Sequence, residues 1–327
     1  MKLVIQIPCL NEEKTLPQTL RDLPKSIPGI HQIEVLVIDD GSTDRTAEVA
    51  RECGATRVLS LGTRRGLAQA FWLGLQNAVA NGADIVVNTD GDNQYCGEDI
   101  AKLVQPILDG RADLVVGCRP ILEHREFSPL KKGLQLLGSA TLRAISKTGV
   151  RDAASGFRAF SREAAQRVFV HTRFSYCMET LIQAGNSRLR VDSVDIRVNP
   201  TTRPSRLFTS IPSYIWRSGS AMVVMFILYR PSRFFGTIAC LFLGGAFVLG
   251  VRFLYLVYFH GSTEPHRTYL PSLILLTILA MTGIFAGCLA VLAELIRCQR
   301  VLTEEANYLL RAGKLGKKDG ETVYFFR

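Results

Sequence analysis

Two carboxylates one residue apart, Asp90 and Asp92, close an apolar run that reads Ile85-Val86-Val87-Asn88-Thr89-Asp90-Gly91-Asp92-Asn93-Gln94-Tyr95. A buried strand ending in Asp-x-Asp sets two acidic groups at the carboxyl edge of a sheet. Hard divalent cations such as Mg or Mn prefer carboxylate oxygens, and a cation there can neutralise a diphosphate leaving group. An isolated Asp-x-Asp is more often a turn, but this chain has a second acidic strand end. Glu34-Val35-Leu36-Val37-Ile38-Asp39-Asp40-Gly41-Ser42-Thr43-Asp44 is an apolar β-branched run, then a turn, then a helix start. Ser42, Thr43 and Asp44 suit a helix N-cap. The adjacent pair Asp39-Asp40 is harder to explain by capping, which needs only one carboxylate.

These groups need a scaffold that gathers strand ends. Strand, polar turn and helix alternate over Lys2 to Leu23, Ile33 to Cys53 and Ala83 to Leu108. Shorter strands are expected at Arg57–Leu61 and Asp113–Gly117, with a helix running from Gly66 to Ala80. Such alternation predicts an α/β domain with a mainly parallel sheet. Ligands of open α/β sheets bind beyond the carboxyl ends of the strands, where both acidic clusters fall. The first turn, Pro8-Cys9-Leu10-Asn11-Glu12-Glu13, lacks G-x-G-x-x-G, which argues against a dinucleotide-binding oxidoreductase.

Taken together, IPCLNEE, VIDDGSTDRT, RRGLAQAFWLGL, NTDGDNQY and RDAASGFRAFSR resemble family 2 glycosyltransferases of the GT-A fold. Within that family the chain is most similar to the polyprenyl-phosphate glycosyltransferases, the dolichol-phosphate-mannose-synthase-like group. The resemblance covers Met1 to Leu207. It implies a nucleotide-sugar site formed by Pro8, Asn11, Glu12, Asp39, Asp40, Ser42, Gly66, Ala70, Asp90 and Gly91. Asp39 would meet the base or ribose. Asp90, Asp92 and Gln94 would surround a divalent metal, Mg or Mn, and the donor diphosphate. Arg119, Lys131 (or Lys132) and Arg158 would meet the acceptor phosphate. Asp92 and Asp152 would be catalytic, Asp152 as a weak base or by orienting Arg158. Gly91 departs from the family's usual alanine, a small-for-small change. The basic stretch that covers the diphosphate in the family is matched only loosely by Arg203-Pro204-Ser205-Arg206. Both arginines are candidates there.

The implied reaction is transfer of one sugar from a UDP- or GDP-sugar to a polyprenyl phosphate, with inversion at the anomeric carbon. An anionic phosphate nucleophile has little need of a strong base, so electrostatic positioning dominates. Cations are needed where two anions approach, and Arg suits bidentate phosphate contact. The alternatives are another lipid or glycan acceptor, as in polysaccharide synthesis, or an inactive membrane scaffold. A polysaccharide synthase would carry Q-x-x-R-W, of which only Trp216-Arg217 is present. A scaffold has no need of clustered carboxylates.

The C-terminal third is a different material. Phe234–Phe259 and Tyr269–Ile296 each exceed the ~20 residues that cross a bilayer, and the short connection His260–Thr268 makes them a hairpin. Gly244, Gly245, Gly250, Gly283, Ala286 and Gly287 offer small surfaces for close packing. Arg203, Arg206, Arg217, Arg230 and Arg233 precede the hairpin; Arg297, Arg300, Arg311, Lys314, Lys317 and Lys318 follow it. The positive-inside rule then places both ends in the cytoplasm. Ile211–Tyr229 and Pro129–Lys147 mix apolar and basic residues in the manner of interfacial helices. The expected organisation is therefore a catalytic domain over 1–207, interfacial helices over 208–233, two spans over 234–296 and a cytoplasmic tail over 297–327. From Leu302 that tail is read as a short helix with a loose end.

The 327 residues carry a net charge of +10, which suits anionic lipid and phosphate partners. No nucleic-acid motif accompanies it. The eight cysteines contain no C-x-x-C pair, so reduced thiols are expected rather than a zinc site or disulfide framework. The chain opens on a strand rather than a signal peptide. A homo-oligomer is left open.

Overall fold

The computed structural model describes residues 1–120, 143, 146, 148–170, 176–187, 189–200, 219, 220, 223, 224, 226–260 and 270–315. The expected strands form β1 (Lys2–Cys9), β2 (Gln32–Asp39), β3 (Arg57–Ser60), β4 (Ile85–Asn88) and β5 (Leu114–Cys118). Two strands that the sequence reading passed over, β6 (Arg158–Ser161) and β7 (Val191–Asp195), complete a sheet of order β3-β2-β1-β4-β6-β5-β7. All pairings are parallel except those of β6, which runs antiparallel between β4 and β5.

That reversed strand matters for the site. Its first residue, Arg158, pairs with the last residue of β4, Asn88. The segment feeding β6 therefore arrives beside the carboxyl end of β4, where Asp90 and Asp92 follow. The parallel register sets Cys9 opposite Asp39 and Gln6 opposite Asn88, bringing the ends of β1, β2 and β4 to one edge.

Helices α1 (Leu16–Arg21), α2 (Thr46–Glu52), α3 (Leu67–Ala80) and α4 (Ile100–Leu108) follow β1 to β4 in turn. The central strands are buried on both faces, as parallel sheets require. Leu3, Ile5, Ile7, Val37, Ile85 and Val87 meet Leu16, Leu103, Val104 and Phe157 in one core cluster. On the other face α3 lies directly on the sheet. A Cβ at Gly74 would stand 2.6 Å from Ile38 Cδ1, so only glycine allows this approach.

The chain divides into two compact units, Met1–Ala221 with Glu304–Arg327, and Met222–Thr303. The second unit contains the helix Pro231–His260 and most of the helix Leu270–Leu315. Both are long and apolar enough to cross a membrane, with mean hydropathy 2.2 and 2.4. Only 11% and 17% of their most apolar windows is buried, which separates them from the core helices of a soluble domain. They pack antiparallel as a hairpin. A Cβ at Gly283 would lie 2.7 Å from Leu243 Cγ, while Gly245 faces Leu279 and Gly250 faces Leu276. Gly244 and Gly287 take no part, since a Cβ there would meet nothing within 4 Å.

The helix expected from Leu302 is a continuation of the second apolar helix. The second long helix does not stop at Ile296 but continues unbroken to Leu315. Its last turns belong to the first unit: Glu305 pairs with Arg167 at 3.0 Å, and the Arg167 guanidinium lies 4.0 Å over the Tyr308 ring. Arg311 stacks over Phe169 at 5.1 Å. Most of the two expected interfacial segments, and residues 316–327, lie outside the described residues.

Candidate active site

Three turns, after β1, β2 and β4, build the site. The β1 turn passes through Asn11 in a left-handed conformation (φ 56°). Its backbone N–H donates to Ser42 Oγ at 3.0 Å, and its side-chain oxygen accepts from Thr43 N at 2.8 Å. The next N–H, on Glu12, donates to Thr46 Oγ1 at 2.8 Å. Ser42 therefore ties the first two turns together, and Asp44 accepts from Thr46 N, the first residue of α2, at 3.0 Å.

The Asp39-Asp40 pair is resolved by division of labour. Asp39 accepts from Ser42 N at 2.9 Å and from Ser60 Oγ at 3.1 Å. Asp40 takes the backbone N–H groups of Arg65 at 2.7 Å and Gly66 at 2.8 Å, and so holds the start of α3 from a distance. Gly66 adopts φ 96°, and a Cβ there would meet nothing, leaving the backbone open to a ligand. Gly41 (φ 75°) is required, because a Cβ would stand 2.7 Å from Arg64 N. Pro8 lies buried within β1, and Ala70 is 1% exposed in the packing of α3.

The β4 turn is electrostatically different. Asp92 accepts from Gln94 N at 3.1 Å. Among the described residues no hydrogen-bond donor reaches Asp90. Burial pushes the Asp90 carboxyl up to about 7, reinforced by Asp92 and Glu12 and opposed by Arg119. The buried Cys9 thiol is also pushed up, by burial first and then by Glu12, Asp39, Asp90 and Asp44. Both acidic strand ends lie within electrostatic reach of this one sulfur, at the same sheet edge. The same sulfur explains Gly91: a Cβ there would lie 2.9 Å from Cys9 Sγ, so the glycine makes room for the thiol.

Across the β4 turn, Arg119 follows β5 and grips Asp152 with a two-pronged contact, Nε to Oδ2 at 2.7 Å and Nη2 to Oδ1 at 3.1 Å. The side chains are 13% and 1% exposed. Asp152 therefore orients Arg119 and not Arg158, and both its oxygens are committed. Arg158, expected at the acceptor phosphate, has its guanidinium committed to the protein. It is fully buried, donating to the carbonyls of Ser155, Cys177 and Ala153 and to Thr180 Oγ1. It stabilises the segment that feeds β6. Lys131, Arg203 and Arg206 lie outside the described residues.

Several functional neighbours went unassigned in the sequence. Asn88 donates to Gly156 O at 2.9 Å and to the Tyr176 hydroxyl at 3.2 Å. Gly156 N donates to the Tyr95 hydroxyl at 3.2 Å. A Cβ at Gly156 would stand 2.6 Å from Tyr176 Oη and 3.4 Å from Asp90 Oδ1, so this glycine forms the floor beneath the carboxylate. Tyr95 and Gly156 stand inside the quoted motifs, but nothing in their local pattern says that they meet.

The donor chemistry fits a hard divalent cation. Among the described residues no three His, Cys, Asp or Glu side chains gather into a cage. Mg and Mn do not need one, since they keep waters and bind through one or two carboxylates plus substrate phosphates. Asp90 and Asp92, half-buried and with no cationic hydrogen-bond partner among the described residues, supply that partial set.

The sequence profile of glycosyl transferase family 2 matches residues 4–169, from β1 through the segment after β6. The chain belongs to glycosyl transferase family 2. It is thus a glycosyltransferase with a GT-A-like α/β catalytic unit. A UDP-N-acetylglucosamine–dolichyl-phosphate N-acetylglucosaminyltransferase of Methanococcus voltae is 31% identical over 214 residues, covering 58% of this chain and 83% of that one. A dolichol-phosphate mannosyltransferase of Pyrococcus furiosus is 30% identical over 199 residues, covering 58% and 54%. Among solved structures, glucosyl-3-phosphoglycerate synthase of Mycobacterium tuberculosis, in complex with Mn2+, UDP and glucosyl-3-phosphoglycerate, superposes with a TM-score of 0.53. It is 23% identical and covers 69% of this chain and 78% of its own, a likeness of fold.

Proposed function

We propose that this glycosyltransferase moves a single sugar, with inversion, from a UDP- or GDP-sugar to a membrane polyprenyl phosphate. The observation that carries the reading is the meeting of the Asp90–Asp92 turn with the Arg119–Asp152 pair at one sheet edge, in a chain that also bears two exposed apolar helices. The relatives that act on dolichyl phosphate support the acceptor class.

Asp90, Asp92 and Gln94 would hold a divalent cation together with the donor's phosphates, and the cation would neutralise the diphosphate as it leaves. Asp39 keeps further lone pairs on both oxygens, which suits a ribose hydroxyl or a base N–H. Gly66 admits the donor close to the α3 backbone. Arg119, aligned by Asp152, presents its remaining guanidinium edge to the acceptor phosphate; Asp152 does not act as a base. Removal of a proton is unnecessary because the acceptor oxygen is already anionic. The work of the protein is orientation and charge compensation.

The catalytic domain over 1–207 and both termini would lie on the cytoplasmic side, with two spans over 234–296 joined to the domain by interfacial helices over 208–233. The arginines flanking the spans support that orientation. The test is transfer from radiolabelled UDP- and GDP-sugars to undecaprenyl and dolichyl phosphate, with Mg or Mn and with chelator. One chelator-sensitive labelled lipid is expected. Nucleotide binding without any lipid product would overturn the acceptor assignment.

A further inference from the structure

The turn that carries Asp92 and Gln94 is fastened by a residue far away in sequence. Asn199 follows β7 and meets the turn from the side. Its Nδ2 donates to Asn93 O at 3.0 Å and to Tyr95 O at 3.5 Å. Its backbone N–H donates to Gln94 O at 2.9 Å. Three successive carbonyls of the turn are thereby committed to one residue. The neighbouring residues continue the seam. Val198 bridges Tyr95 in antiparallel fashion, and Cys96 N donates to Arg197 O at 3.5 Å.

The opposite side of the turn is held as well. Asn93 adopts φ 56°, a conformation that a residue other than glycine keeps only when its surroundings impose it. Its Nδ2 donates to Asp22 Oδ2 at 3.0 Å, and a Cβ at Gly97 would collide with the Asp22 carbonyl. The turn is wedged between the end of α1 and the chain after β7. Only then does Gln94 N reach Asp92 Oδ1 and orient that carboxylate.

We propose that Asn199 is a positioning residue for the cation-binding turn, fixing the backbone of 93–95 so that Asp92 and Gln94 are set before donor and cation arrive. The proposal rests on the functional reading of Asp90 and Asp92 as cation ligands. Outer partners that orient metal ligands typically carry about 10- to 100-fold in metal affinity. Asn199 touches no reacting group, and its effect passes through the turn.

The experiment compares the full-length protein in detergent with Asn199→Asp and Arg197→Ala. Asn199→Asp keeps the shape but loses the Nδ2 donors. Arg197→Ala removes an ion pair to the buried Asp99, 2.9 Å away, and serves as the merely structural comparison. Mn2+ binding is followed by electron paramagnetic resonance with UDP or GDP present, alongside thermal unfolding and metal-free hydrogen exchange. Asn199→Asp is expected to weaken Mn2+ binding at least about tenfold and to speed exchange at Gln94 and Cys96 without metal. Arg197→Ala is expected to lower the melting temperature and leave Mn2+ affinity within about twofold, a fraction of the orienting effect. Wild-type Mn2+ affinity and wild-type exchange in Asn199→Asp would overturn the proposal. So would an affinity loss that simply follows melting temperature across both variants. If the wild-type protein itself binds no Mn2+ with either nucleotide, the cation reading fails and the proposal fails with it.

Discussion

The ends of β2 and β4 both carry two aspartates, and the protein treats them in opposite ways. At β2 every carboxylate oxygen of Asp39 and Asp40 receives an N–H or O–H from the protein. At β4 Asp90 receives none from the described residues, and burial with Asp92 nearby pushes it up to about 7. Charge that is paired with backbone donors stabilises the fold. Charge that is buried beside like charge costs stability until something cationic arrives. On the proposed reading the first end would be architecture bordering the donor, and the second the place where a cation would be held.

The largest break in that comparison should come from Asp92→Ala. It is expected to lower sugar transfer on the order of a thousandfold, comparable to losing a preorganised electrostatic contact, with melting temperature unchanged or raised. Turnover near normal in a lipid-transfer assay would remove the cation role from the β4 end.

Asp40→Asn tests the other side. The amide replaces one accepting oxygen with a donor that faces a backbone N–H. A loss of about 1–3 kcal/mol in chemical unfolding is expected, with UDP or GDP affinity changed less than stability. If Asp40→Asn unfolds like the wild type but no longer binds nucleotide, the β2 end is a ligand site first and the contrast collapses.

The sequence revealed unequal amounts of this arrangement. The parallel strands and their helices were legible because apolar β-branched runs alternate with polar turns and helical stretches, each a local signal. The acidic clusters were legible because a sheet of this kind gathers its carboxyl ends. The antiparallel β6 was not, since Arg158–Ser161 is short and runs straight into the helix Arg162–Arg167. Missing that reversal hid which residues would surround Asp90. Arg158 was therefore read as a phosphate ligand because its type fitted, while its burial depended on Cys177 and Thr180, some twenty residues on. Asn199 left no trace either, because its partners lie 104 and 106 positions away. The length of the second long helix was not legible either. Its apolar signal fades near Ile296, but the helix runs on to Leu315, with Glu305, Tyr308 and Arg311 in contact with Arg167 and Phe169.

The pH dependence of the β4 end sharpens the same comparison without a change in the catalytic assay. In the unliganded protein Asp90 has a folded value of about 7, above its ordinary carboxylate range. Between the two the folded state binds a proton that the unfolded state has released. The stability this contributes is fully present below the ordinary range and is lost as pH rises towards about 7, at up to about 1.4 kcal/mol per pH unit. Unliganded wild-type protein should therefore lose stability from pH 5 to pH 7.5 relative to Asp90→Asn, which has no proton to lose. A cation competes with that proton, so Mn2+ with UDP or GDP should shrink the difference and bind more tightly at the higher pH. Parallel melting curves for wild type and Asp90→Asn across that range would mean that Asp90 is already compensated, and the two strand ends would then be alike.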